Sequence, residues 1–480
     1  MRSSPDQPKI LLTGASGYVG SRLLLRLIER GYPLRCLARN PAKLTHRHLN
    51  RVEIVKGDTL DPSTLNGVFE GIDIAYYLIH SMTDSANFEE KDIHSAQNFV
   101  TAAREAGVKR IIYLGGLGDS EENLSAHLYS RQHVGKILAE SGIPVTELRA
   151  SIIIGSGSAS FEIIRDLVKK LPFMITPRWV RSKCQPIAIR DVLNYLVHVI
   201  EKPESSGKIF DIGGDEVLTY EDMMRRVARI NGKRLRILHV PVLTPHLSAY
   251  WLNLVTAVPM RLAFPLIEGL RNDTIRRDHK IDDLIPFQKT PFDEAVRRAL
   301  SLEQERQIES RWTEADTFTP LPVNFSYQTL YDRQKIQSTV NADLVFEKVR
   351  TIGGENGWYY ANWAWRLRGL FDRLIGGVGM RRGRRHPFDL RIGDTLDFWR
   401  VEDYSPGKFL KLRAEMKLPG AAWLEFNVEQ DKSVSYLNQI ASFIPYNFFG
   451  YIYWYLLLPA HYFIFRNMAR KIIASAEESI

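Results

Sequence analysis

Cysteine is almost missing from this chain: Cys36 and Cys184 are the two in 480 residues. Two distant cysteines give neither a disulfide framework nor a metal-ligand spacing, so no metal site is expected and a reducing cytoplasm is the default compartment. The opening nine residues carry two prolines and lack the apolar stretch of a signal peptide. Acidic residues are in the minority, 55 against 64 Lys and Arg, for a net charge of +9. That balance suits anionic cofactors, lipid headgroups or nucleic acid without choosing among them. No nucleic-acid-binding motif stands out, so nucleic acid is not an expected partner. Large-scale disorder is not expected either, with 45% hydrophobic and 25% charged residues. A chain of 480 residues is long enough for two buried cores, and two domains are expected.

An apolar strand, Ile10-Leu11-Leu12, runs into Thr13-Gly14-Ala15-Ser16-Gly17-Tyr18-Val19-Gly20, and an amphipathic stretch from Ser21 to Arg30 follows. Gly14 permits a tight turn, Gly17 lets backbone amides approach a pyrophosphate, and Gly20 lets the helix pack closely while its N-terminal dipole faces the anion. A dinucleotide is therefore expected here, held by Thr13, Gly14, Ser16, Gly17, Tyr18, Val19 and Gly20. The carboxylate that dinucleotide folds commonly place after the second strand is missing; Leu37-Ala38-Arg39-Asn40-Pro41-Ala42-Lys43 stands there instead. Arg39 is suited to stacking on adenine and pairing with a 2′-phosphate, with Lys43 close by, so NADP(H) is favoured over NAD(H). Asp58, after the third strand, is a candidate for the adenine edge. A solvated basic loop and an ordinary Gly57-Asp58 turn are the bland readings of the same residues.

Strands and helices alternate through the first part of the chain. Strands are expected at Leu34–Ala38, Val52–Val55, Asp73–Leu78, Arg110–Leu114 and Val145–Ile154, with helices at Phe88–Ala106 and His127–Glu140. A short strand from Gln185 meets a helix N-cap at Asp191, and Lys208–Ile212 adds a late strand before a helix from Tyr220. Right-handed crossovers make this a doubly wound parallel sheet of the Rossmann kind, an α/β fold. Pro241–Leu300 is rich in proline and aromatics and suits a small substrate-side lobe. Glu303–Asp316 suggests an exposed helix, and residues 317–322 a connector.

Beyond the connector the pattern changes. Thr395–Glu402, Phe409–Lys417, Ala422–Glu429 and Ser433–Ser442 are strand-like runs parted by turn signals, an antiparallel meander, and Phe448–Ala476 is one long helix. A sheet wrapped around that helix buries both and leaves room for a cavity. The domains are placed at 1–305 and 335–480, with a linker at 306–334. Trp358-Tyr359-Tyr360, Trp363, Trp365 and Phe371 are expected in a core or lining an apolar cavity. Met380–His386, with four arginines, is a candidate headgroup contact or a solvated loop. Ile440–Phe465 carries no formal charge but contains Pro445, Asn447, Pro459 and His461. It is open to three readings: a helix held in the sheet's grip, a peripheral contact with the inner face of a membrane aided by Arg466, Arg470 and Lys471, or a span.

The first 300 residues resemble the atypical short-chain dehydrogenase/reductases, in their NmrA-like and extended branch. The resemblance rests on Thr13 to Gly20, on Ala102-Ala103-Arg104-Glu105-Ala106-Gly107-Val108-Lys109-Arg110, and on Ser141-Gly142-Ile143-Pro144-Val145-Thr146-Glu147-Leu148-Arg149. Residues 381–401, from Arg381 through Gly393-Asp394-Thr395 to Val401, resemble the DUF2867 module, a helix-grip or START-like domain, and the combination is similar to the bacterial YbjT-like proteins. The resemblance implies a tyrosine, a lysine four residues later and a serine ending strand five as the proton-handling set. The serine position falls in Leu114-Gly115-Gly116-Leu117-Gly118, with Ser120 the nearest hydroxyl; His127 stands at the tyrosine position and Arg131 at the lysine position. Tyr129 lies about 200° around the helix from that pair, and Asn98 matches the region of a supporting asparagine. His127 is thus the candidate general acid, imidazole being able to supply a proton near neutral pH, with Arg131 on the nicotinamide ribose. Two functions follow. One is an NADP(H)-dependent oxidoreductase, or a related epimerase- or dehydratase-type enzyme, on a small or lipophilic substrate. The other is a non-catalytic NADP(H)-responsive regulatory or lipid-binding protein.

Overall fold

Ile10–Thr13 (β1) is buried along its whole length, and its alternate side chains feed two different cores. Ile10 and Leu12 pack with Leu23 and Leu27 on one face, Leu11 with Phe99 and Ala103 on the other. A strand apolar on both faces belongs in the middle of a parallel sheet covered twice by helices. The computed structural model describes residues 7–45, 52–80, 88–118, 125–171, 173–240, 268–269, 272–304 and 329–479. Over them run α1 (Tyr18–Glu29), β2 (Leu34–Ala38), β3 (Val52–Lys56), β4 (Ile74–Tyr77), α2 (Phe88–Glu105), β5 (Arg110–Gly116) and α3 (Ala126–Ala139). Then come β6 (Val145–Ala150), α4 (Ala159–Lys170), α5 (Ile189–His198), β7 (Ile209–Ile212) and α6 (Tyr220–Ile230). The seven strands form one parallel sheet in the order β7-β6-β5-β4-β1-β2-β3. The chain winds outward from β1 in one direction, then crosses to β4 and winds in the other. The crevice between the ends of β1 and β4 is therefore the switch point at which such sheets bind ligands.

Two local expectations need correction. The strand expected over Val145–Ile154 breaks after Ala150, and Ile153–Ile154 pairs instead with Ile187–Ala188. Asp191 is not an N-cap: α5 starts two residues earlier, after Ala188. The Asp191 carboxylate accepts from the backbone N–H (2.8 Å) and the hydroxyl (2.9 Å) of Thr290, and burial raises its pKa. Ser120, most of the region 241–271, and the helix and connector expected over 305–322 lie outside the described residues.

The chain divides into two units, Met1–Asp316 and Thr317–Ile480. The second is built from β8 (Leu330–Ser338), α7 (Ala342–Arg350), α8 (Asn362–Leu374), β9 (Thr395–Leu396), β10 (Trp399–Ser405), β11 (Phe409–Ala414), β12 (Gly420–Asp431), β13 (Val434–Pro445) and α9 (Phe448–Glu477). Its antiparallel sheet has the order β8-β13-β12-β11-β10-β9, so the first strand closes against the last. The meander and the long helix stand as read from the sequence, except that the single strand expected over Thr395–Glu402 turns back on itself at Asp397 (φ +57°) and Phe398, so that Thr395 pairs with Arg400 and Leu396 with Trp399.

The aromatic and arginine clusters divide in a way the sequence does not indicate. Trp358 and Trp365 are buried and meet Phe398 and Trp399, and the Trp358 indole N–H donates to Asp397 (2.8 Å). Trp363 and Phe371 are exposed. Arg382, Arg384 and Arg385 of the arginine cluster are not solvated and offer little to a headgroup. Arg385 binds Asp394 (2.9 Å), Arg384 donates to the carbonyls of Ile352 and Arg350 (2.7 Å each), and Arg382 pairs with Glu415.

Candidate functional site

The glycine turn closes tightly at the end of β1. Gly14 has φ +70°, and a Cβ there would lie 2.5 Å from the carbonyl oxygen of Leu78, just beyond β4. A Cβ on Gly20 would enter the Gly14 carbonyl. Gly17 donates to the Gly14 carbonyl (2.9 Å) and serves as the N-cap of α1 with no side-chain cap and no acidic residue in the first turn. A close-packed glycine cradle ahead of a helix start without carboxylates fits a pyrophosphate. The Thr13 hydroxyl donates to the Tyr76 carbonyl (2.7 Å) and accepts from the Leu78 N–H (3.3 Å), pinning β1 to β4 at the switch point. The ring of Tyr18 lies beneath the Arg22 guanidinium (4.6 Å), and Arg22 donates to the Ser156 carbonyl (2.9 Å). Gly155 is bare where a Cβ would lie 2.5 Å from the Tyr18 hydroxyl. Ser16 and Val19 are half-buried in the turn.

Gly20→Ala is expected to push the helix off the turn, destabilise the first unit by about 1–3 kcal/mol and abolish dinucleotide binding. Thermal melts with and without NADPH would read both effects, and an unchanged melt with retained ligand stabilisation would refute the cradle.

Arg39 follows β2 directly, exposed, and makes no hydrogen bond or ion pair among the described residues. Lys43 is buried in the short helix Ala42–Thr45. Asp58 shapes its own turn, one carboxylate oxygen accepting from the Leu60 N–H (3.0 Å). The Asn98 amide donates to the Thr59 carbonyl (2.9 Å), which ties α2 to the segment after β3.

A chain of polar groups lies beside this edge, and part of it is invisible in the sequence. His80, three residues past β4, places Nδ1 2.8 Å from Asp92 of α2 and Nε2 3.2 Å from Nδ1 of His127 at the start of α3. The Ser130 hydroxyl donates to the same Asp92 oxygen (3.0 Å). Burial lowers the pKa of both imidazoles below the ordinary 6.5, and for His127 the neighbouring His80 and Arg131 push it lower still. Both shifts favour the neutral imidazoles. With Asp92 ionised, hydrogen-bond complementarity assigns the protons. His80 donates from Nδ1 to Asp92, His127 donates from Nδ1 to His80, and His127 Nε2 is left as an acceptor. One further proton settles on His80 beside the carboxylate, reverses the central hydrogen bond and turns His127 Nε2 into a donor.

Arg131 is engaged at the end of β5. Its guanidinium donates to the Leu114 carbonyl and lies over the Tyr113 ring (5.1 Å), while the Tyr113 hydroxyl donates to the Arg131 carbonyl (2.8 Å). Gly116 leaves space that a Cβ would fill at 3.5 Å from the Arg131 stem. Tyr129 points away, exposed, with its edge against His133 (5.8 Å). The sequence reading missed His80 and Asp92. A histidine just past an apolar strand that ends at the switch point was the available signal. A surface depression lined by Asp73, Lys109 and Pro203 lies at the opposite ends of the strands from this chemistry.

Residues 14–158 match the family described as NAD(P)H-binding, and residues 326–468 match DUF2867, described as a protein of unknown function. The chain is 31% identical over 240 residues to cinnamoyl-CoA reductase 2 of Arabidopsis thaliana, 42% of this chain and 72% of that protein. It belongs to the short-chain dehydrogenase/reductase family. Short-chain dehydrogenase/reductase relatives also include the (4-alkanoyl-5-oxo-2,5-dihydrofuran-3-yl)methyl phosphate reductase of Streptomyces griseus, 26% identical across 47% of this chain and 75% of that protein. Photosystem II assembly factor Ycf39 of Synechocystis is 22% identical across 49% and 71%. The triphenylmethane reductase of Citrobacter, solved with NADP(H), superposes with a TM-score of 0.51 at 20% identity, covering 61% of this chain and 99% of that one. At that identity the likeness is one of short-chain dehydrogenase/reductase fold.

Proposed function

We propose that the first unit is an NADP(H)-dependent oxidoreductase for a small or lipophilic carbonyl or hydroxyl substrate, with His127 exchanging the proton. The observation that carries this reading is the Asp92–His80–His127 chain at the edge where β1 and β4 end. A bound nicotinamide supplies or accepts the hydride. The glycine turn, from Gly14 to Gly20 with Ser16, Tyr18 and Val19, would hold the pyrophosphate, Arg39 the 2′-phosphate with Lys43 behind it, and Asp58 the adenine edge. In the reductive direction His127 Nε2 gives its proton to the substrate oxygen, and His80 Nε2 replaces it at His127 Nδ1. His80 keeps the proton that faces Asp92. In the oxidative direction the same atoms run in reverse, and the neutral chain is already poised to accept. Asp92 and His80 take the place of a lysine: they stabilise the added proton electrostatically and fix the His127 tautomer.

Titration of the full-length protein with NADPH and NADH, followed by NADPH consumption against a panel of quinones and aldehydes, tests the reading. Arg39→Ala is expected to weaken NADPH about ten- to a hundredfold, the worth of a charge-assisted contact, and to leave NADH unchanged. Equal loss for both nucleotides would remove Arg39 from the phosphate site. Tight NADPH binding without turnover on any acceptor would favour the nucleotide-responsive, non-catalytic alternative.

A further inference from the structure

The second unit carries a broad apolar face on two neighbouring helices. On α8, Trp363, Leu367, Leu370, Phe371 and Leu374 recur at helical spacing and are exposed, Trp363 by 72%. On the first half of α9, Phe448, Ile452, Tyr455, Leu456 and Phe463 are exposed, Leu456 by 76%. The two helices touch through Trp365 and Phe465 (6.1 Å between ring centroids) and through Arg368 over Tyr453 (5.2 Å). So many large apolar side chains in one region exceed what a soluble surface ordinarily leaves open.

Charge selects what covers this face. α9 from Phe448 to Ala476 contains no Asp or Glu. α8 contains one, Asp372, which is buried and accepts from the N–H groups of Gly379 and Lys417 (2.8 Å each). Over α8 and the stretch Phe448–Ala476 of α9 the exposed charges are cationic, Arg366 on α8 and Arg470 and Lys471 on α9, and the one exposed carboxylate is Glu477 at the last position of α9, at the far end from Phe448. Apolar and aromatic side chains, flanking cations and no exposed carboxylate on α8 or on the first half of α9 complement an anionic lipid surface.

α9 is long and apolar enough to cross a membrane, but its packing opposes a span. Its second half is buried against the module through Phe465, Met468, Ile472 and Ala476. The first half is held on its inner side by Trp454 stacked on Phe443 (5.6 Å) and by Gly450, where a Cβ would lie 2.6 Å from the Pro419 carbonyl. The free stretch 448–463 would reach about 24 Å at 1.5 Å per residue, short of the roughly 30 Å hydrocarbon core.

We propose that α8 and the first half of α9 form a monotopic seat that lies in one leaflet of an anionic bilayer. The proposal stands independently of the oxidoreductase reading.

Flotation of the full-length protein with vesicles of phosphatidylcholine alone, and with about a third phosphatidylglycerol, tests it. Binding to the anionic vesicles is expected, at least tenfold weaker on phosphatidylcholine and weakened by salt. The double variant Trp363→Ser, Leu456→Ser, with both changes at exposed positions, is expected to lose binding while keeping its circular dichroism and NADPH affinity. Arg366→Glu is expected to reduce the preference for the anionic lipid. Failure of the wild type to float, equal binding to both compositions, or unchanged binding by the double variant would overturn the proposal. So would a dimer in sedimentation velocity that the double variant dissolves, since that would assign the face to a second copy.

Discussion

His127→Gln is expected to lower turnover by about 10²- to 10⁴-fold, the usual contribution of a positioned acid or base, with NADPH affinity unchanged. The pH profile carries the finer information. Burial pushes both His80 and His127 below 6.5, so above that pH the proton-loaded chain is a minority species. Reduction should therefore speed up as pH falls from 8 toward 6, by about tenfold per unit at most, while oxidation should rise with pH to a plateau. His80 and Asp92 act through His127, and their variants should show it. Asp92→Asn or His80→Asn is expected to shift the inflection of the profile more than the affinity for substrate. A His127→Gln enzyme with wild-type rate and wild-type profile would remove the imidazole from the chemistry. The same depression has a consequence for stability. A histidine whose pKa is lower folded than unfolded leaves stability intact above 6.5 and erodes it as pH falls below, so the first unit should melt earlier in mild acid.

Glu415→Ala is expected to destabilise the second unit by about 3–5 kcal/mol, the cost of leaving buried charge uncompensated. The Arg382 and Arg400 side chains are each 1% exposed, and both pair with Glu415, itself 21% exposed. Arg400 donates through Nε to Glu415 (2.6 Å) and through Nη1 to the Gly393 carbonyl (2.9 Å). Removing the carboxylate strands two guanidinium groups among β10, β11 and the segment before β9. Denaturation followed by tryptophan fluorescence reads this unit, where Trp358, Trp365, Trp399 and Trp423 are buried. The transition of the second unit should move while NADPH binding in the first does not. A shift below about 1 kcal/mol, the value of an exposed ion pair, would show that the cluster is hydrated.

The residues that the sequence locates well are those whose signal is local. Gly14, Gly17 and Gly20 mark the βα turn because Gly14 takes a positive φ and Gly17 and Gly20 both close on the Gly14 carbonyl within six residues, although the contact of Gly14 with Leu78 is a tertiary one. The parallel sheet and the meander are legible because burial imposes a period on neighbouring side chains. The sequence misplaces the break at Ala150 and the start of α5 at Ile189 because Ile187–Ala188 pairs with Ile153–Ile154 and Thr290 takes the Asp191 carboxylate, and both partners lie far away in sequence.

By itself the sequence determined the order of elements, the NAD(P)H-binding turn, the open basic position at Arg39 and the candidacy of His127. Tertiary structure alone decided that His127 is backed by His80 and Asp92, separated from each other by 12 and 47 residues of chain. It also decided that the arginines at 382–385 are spent on Asp394, Glu415 and backbone carbonyls while α9 is half packed and half bare. A local pattern fixes which way a side chain faces along its own helix or strand. What it meets there, and therefore its charge state and its chemistry, depends on which distant segment the fold brings against it.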